Sequence, residues 1–61
     1  MLDWRPISSA PFDRDLLLGV IEKGEVYALV FPCRRAQYGW MHARTGKPVH
    51  VDPTHWRDWS D

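Results

Sequence analysis

The stretch "DLLLGVIEKGEVYALVFP", residues 15–32, decides the fold. Its first seven residues are apolar on both alternations, as expected of a strand covered on two sides. A helix would need more length and would not welcome Gly19 in its interior. "EKGE" (22–25) then supplies a turn, with Gly24 at a left-handed position. Residues 26–32 are rich in β-branched and aromatic side chains and read as the returning strand. The pattern predicts a β-hairpin built from 15–21 and 26–32.

Upstream, "LDWRPISSAPFDRD" holds two prolines and two serines, which forbid a continuous helix or a central strand. An extended segment packing Trp4 and Ile7 is expected, followed by a turn around residues 8–11. Downstream, "CRRAQ" (33–37) reads as a polar connection and "YGWMHA" (38–43) as a third strand. "RTGK" (44–47) is a second glycine turn. "PVHV" (48–51) is a short fourth strand, placed at an edge because Pro48 cannot donate to a ladder. In "VDPTHWRDW" (51–59), Asp52 suits an N-cap and Pro53 the first helical position. Val51 and Trp56 then have the spacing of a hydrophobic staple. One helical turn would set Trp56 and Trp59 on one side, as a lid over the sheet. The expected architecture over residues 1–61 is a single mostly β domain. It is a small curled antiparallel meander or barrel-like sheet of about four strands with a short C-terminal helical turn.

A chain of 61 residues buries only about 60% of its unfolded surface, so its core is marginal. The one cysteine, Cys33, allows no internal disulfide, and a lone thiol suits a reducing cytoplasm. The four tryptophans are then the expected source of stability, each aromatic burying roughly 150–250 Å². Eight basic and eight acidic side chains cancel, which argues against non-specific nucleic-acid binding. Residues 1–31 carry three basic against five acidic groups, and residues 32–61 the reverse, which permits a weak head-to-tail dimer. No signal peptide is evident, and no apolar run approaches the ~20 residues of a membrane helix. The sequence reads as cytoplasmic, with no membrane association.

At "DWRPISSAPFDRD" and "GWMHARTGKPVHVDPTHWRDW" the chain resembles a family of short bacterial and phage proteins, a domain of unknown function. That family's pattern runs W-x-P-I, A-P, G-W, P-T-H-W. The matching positions are Trp4, Pro6, Ile7, Ala10, Pro11, Gly39, Trp40, Pro53, Thr54, His55 and Trp56. The resemblance implies a small β-rich intracellular domain and supplies no reaction, cofactor or partner. Many relatives continue with a proline-rich tail where this chain reads "RDWSD".

Several groups carry chemistry by type. Cys33, His42, His50 and His55 are zinc-ligand types, but their spacing matches no zinc motif, and half-buried hydrogen-bonded rings explain the histidines better. No nucleophile stands beside His55, so a ring that fixes the tail is the better reading. Cys33 beside Arg34 and Arg35 could be an activated thiol, though a small apolar filler is the commoner role. Asp13 and Asp15 suit turn chemistry. Arg34, Arg35, Arg44, Lys47 and Tyr38 form the candidate interaction surface, and Trp40 joins them in a basic, aromatic set. That set also grounds the alternative function, a nucleic-acid-binding module that stacks bases on rings. The favoured function is a non-catalytic protein-interaction or accessory module, with a homodimer or another protein as partner. No enzyme activity, cofactor or metal is expected.

Overall fold

The computed structural model describes residues 4–60. Leu2 and Asp3, at the start of the expected N-terminal segment, lie outside that range. The chain forms β1 (Arg5–Pro6), a 3₁₀ turn (Ile7–Ser9), β2 (Leu16–Glu22), β3 (Glu25–Ala28), β4 (Cys33–Ala36), β5 (Gly39–His42), β6 (Pro48–Val49) and β7 (His55–Asp58). All pairings are antiparallel, and the sheet stays open, ordered β1-β7-β2-β4-β5-β6 with β3 also on β2. The mostly β antiparallel class is the one the sequence predicts. Among the described residues, no helix is long and apolar enough to cross a membrane.

The hairpin forms as its pattern dictates. Lys23 and Gly24 both have positive φ, 51° and 80°, the signature of a two-residue type I′ turn whose twist matches that of the flanking strands. Glu22 therefore pairs directly with Glu25, and the register runs on to Gly19 opposite Ala28. The returning strand ends earlier than expected, because the chain bends at Val30 and Phe31 to reach β4. β2 is the hub. Its other edge pairs with β7, from Leu16 opposite Asp58 to Gly19 opposite His55.

Three expectations need correction. The sheet has seven strands where about four were expected, because the short β1, the concealed β4 and the C-terminal β7 add to it. Residues 33–36 are strand, not a polar connection. Cys33 and Arg35 turn one way and Arg34 and Ala36 the other, and both arginines are half-buried with internal partners, Asp15 for Arg34 and the Ala10 carbonyl for Arg35. The C-terminal helical turn is absent, since residues 55–58 are β7. The Thr54 N–H that a helix would leave open is taken by the Gly19 carbonyl at 3.0 Å. The bare edge of β2 claims this segment, a long-range demand that local capping signals do not register. In strand geometry Trp56 and Trp59 point to opposite faces. Among the described residues, 3₁₀ geometry lies near the other end, at Ile7–Ser9.

The core sits on the face bearing Leu16, Leu18, Cys33 and Trp56, with Ala10 packed over it. Leu16, Leu18 and Cys33 are fully buried, and Trp56 is 5% exposed. The Trp56 indole N–H donates to the Ser9 hydroxyl at 3.0 Å, and that hydroxyl donates to the Pro6 carbonyl at 2.7 Å. The buried ring is thereby satisfied at its polar end. Trp4 lies on the opposite face, over Gly19, where a Cβ would come within 2.8 Å of the ring. Arg57 covers the same ring from 5.7 Å. The indoles of the two chain ends thus clamp the sheet from its two sides.

Trp56→Ala is expected to cost about 3–5 kcal/mol. That is most of the stability of a domain near the low end of the ~5–15 kcal/mol range. Chemical denaturation measures it, and an unchanged midpoint would refute the central placement of this ring. Lys23→Asn should act in the other direction, raising stability by about 1 kcal/mol because asparagine tolerates the left-handed backbone better. A shift in thermal midpoint reads the sign.

Candidate functional site

A shallow groove of about 680 Å³ opens between the β4–β5 turn and the segment joining β6 to β7. Tyr38, Trp40, Val49, His50, Asp52 and Pro53 form its walls, with Arg35 beneath. Strand register builds it, since Arg35, Trp40 and Val49 are successive cross-strand partners and share a face. Gly39, at φ 152°, follows the turn that lifts Tyr38 to the rim. Tyr38 stands there 92% exposed, its hydroxyl accepting from Gln37 Nε2 at 3.2 Å.

The candidate surface residues do not gather in one place. Tyr38, Trp40 and Arg35 meet at the groove. The Arg35 guanidinium donates to the Ala10 carbonyl at 2.5 Å and lies 4.9 Å from the centre of the Phe12 ring. Arg34, on the other face, donates through Nε to Asp15 Oδ1 at 2.8 Å. Arg44 and Lys47 belong to the turn at the far end of β5. The Arg44 N–H donates to His42 Nδ1 at 3.1 Å, and the Lys47 carbonyl accepts from the His42 N–H at 2.8 Å. Arg34 and Arg35 are thus engaged within the domain. Sequence reading did not identify the groove, because its second wall comes from the irregular segment at residues 50–53.

The ligand-type side chains also have local partners. The His42 ring stacks on Phe31, centroids 4.5 Å apart and planes 7° from parallel. His55 Nδ1 lies 2.8 Å from the Thr54 hydroxyl, which also accepts from the Ile21 N–H at 2.9 Å. Thr54 and His55 meet at the entry to β7, the ring on a side-chain hydroxyl and not on a backbone carbonyl. Among the described residues, no three groups of metal-ligand type come together to hold an ion. Asp13 has a left-handed φ of 61°, in keeping with turn chemistry, and Asp15 serves as the partner of Arg34.

Cys33 is the buried nucleophile type. Its S–H donates weakly to the Phe31 carbonyl, with Sγ 3.9 Å away. Burial pushes the thiol up from 9.0 to about 11, against the activation that neighbouring arginines suggest. The folded state therefore holds its proton more tightly than the unfolded chain. The resulting stability is full below pH 9 and is lost between pH 9 and about 11. The loss should reach about 2–3 kcal/mol. Cys33→Ala should lack that decline, so the difference between the two proteins in denaturation midpoint isolates it. In the parent protein at pH 8, an aromatic disulfide reagent should label the Cys33 thiol only after unfolding.

Set against family models, curated proteins and solved structures, the chain finds no match.

Proposed function

We propose that this domain is a non-catalytic protein-interaction module. The observation that carries the reading is a run of large apolar side chains held in water along one arm of the hairpin. Val26 is 43% exposed, Tyr27 57% and Val30 88%. A core anchored by three fully buried side chains has little apolar surface to spare. Side chains left out on a well-formed strand and the bend after it are therefore explained by a surface that covers them. The fold supplies a rigid hairpin on which to present them, as binding surfaces require.

A second reading, a nucleic-acid surface, draws support from Tyr38 and Trp40 beside the groove, where bases could stack. Arg34, Arg35, Arg44 and Lys47 would have to reach phosphate from separate faces, and two of these side chains already serve Asp15 and Ala10.

Sedimentation velocity over a wide concentration range, with quantitative affinity capture from a bacterial lysate, tests the first reading. The expected result is either mass above the 7.2 kDa of one chain or one stoichiometric partner. A strict monomer that retains nothing would overturn it. In parallel, fluorescence anisotropy with single- and double-stranded oligonucleotides at low salt should show no binding. Binding that weakens steeply with salt would favour the second reading.

A further inference from the structure

Among the described residues, β1, β3 and β6 each keep one side without a neighbouring strand. Two of these edges are guarded. β1 is two residues long and contains Pro6, and β6 is two residues long and begins with Pro48. Proline offers no N–H to an incoming strand, and short edges deter pairing. β3 has four residues, no proline, and every residue exposed.

The hydrogen-bond phase says what β3 presents. The Leu29 N–H donates to the Leu18 carbonyl at 3.0 Å. Bonded pairs alternate along an antiparallel ladder, so Tyr27 bonds Val20 and Glu25 bonds Glu22. The N–H and C=O of Val26 and Ala28 therefore point away from β2.

We propose that β3 pairs antiparallel with β3 of a second copy of this chain, about a two-fold axis at Tyr27. This rests on the interaction-module reading and names its partner and surface. In this register Val26 exchanges its two outward hydrogen bonds with Ala28 of the second copy, and Ala28 does so with Val26. Tyr27 then faces Tyr27, and Glu25 faces Leu29. The charged turn, Glu22 to Glu25, lands beside the uncharged stretch at residues 29–32, so no carboxylate meets another. The Tyr27 hydroxyl donates to the Glu25 carboxylate on the same strand, which holds that charge back along its own chain. A parallel pairing would set Glu25 beside Glu25, and like charges across a ladder are destabilising. A two-fold axis makes one strand serve as both surfaces of the contact.

Engineered cysteines read the register. Tyr27 and its symmetry mate form a non-bonded pair with Cα atoms about 4.5 Å apart, within the range a disulfide spans. Under oxidised glutathione, Tyr27→Cys should form a disulfide-linked dimer about tenfold or more faster than Val26→Cys, which would face Ala28. Cys33 is fully buried and does not compete. In sedimentation, Ala28→Pro removes an outward donor and should raise the dimer Kd about tenfold or more. Val26→Lys, which guards the edge with charge, should do the same, and circular dichroism verifies that both variants fold.

A dimer indifferent to both variants, or crosslinked equally well from Val26→Cys, would overturn the β3 contact and leave the interaction reading standing. So would a monomer that retains a different protein. A monomer that retains nothing would remove both.

Discussion

Trp56 has Arg5 on one side and Leu18 on the other as its strand neighbours, and the remaining structure is arranged around that seam. β7 lies between β1 and β2, so one short strand satisfies two backbone edges. It also delivers a large ring to the core. Ile7 donates its N–H to the Thr54 carbonyl at 3.0 Å, and Thr54 donates its own to Gly19. Trp59 continues the line by donating its N–H to the Asp15 carbonyl at 3.1 Å. Hydrogen bonding, burial and the placement of the 3₁₀ turn all rest on this junction of the two chain ends. Arg5, Pro6 and Ile7 meet Trp56, His55 and Thr54 across it. The two separated stretches that stand out in the sequence are physically one construction.

The seam also explains how the fold is stabilised with a single cysteine and hence no internal disulfide. A single indole replaces several smaller apolar side chains, and its N–H is carried outward through Ser9 to a backbone carbonyl. On the reverse face Gly19 lets Trp4 lie flat on β2, where any side chain would lift it. The sheet is thus compressed between two rings, with Arg5 and Arg57 each 5.7 Å from the centre of one of them. Charged heads with apolar stems complete the shielding that so short a chain cannot supply from aliphatic residues alone.

How much was legible in the sequence follows from the range of the forces involved. The hairpin is a local object, and Lys23–Gly24 with its flanking apolar runs declares it directly. β5 and β6 are nearly as plain, since Gly46 and Pro48 mark the turn and the edge. β4 was concealed because Arg34 and Arg35 look like solvated loop while one of them reaches across the core face to Ala10. β7 is masked because "DPTHW" has sound capping chemistry, and only the open edge of β2, far back in the chain, decides against a helix. For the candidate site, Tyr38, Trp40 and Arg35 do lie together through strand register. Arg34 falls on the opposite face by simple alternation, and the wall at residues 50–53 follows no periodicity. The phase that turns Val26 and Ala28 outward depends on the turn type, which a sequence suggests and only a structure fixes.

The insertion of β7 between β1 and β2 has a bearing on biosynthesis. While the chain emerges from a ribosome, the 15–28 hairpin can zip early, yet one flank of its central strand stays bare until residues 55–58 follow. Until that segment has emerged the hairpin carries a hydrated, unmatched ladder, and consolidation waits for its arrival. Anything that stalls translation short of that point leaves an adhesive template rather than a smaller folded protein.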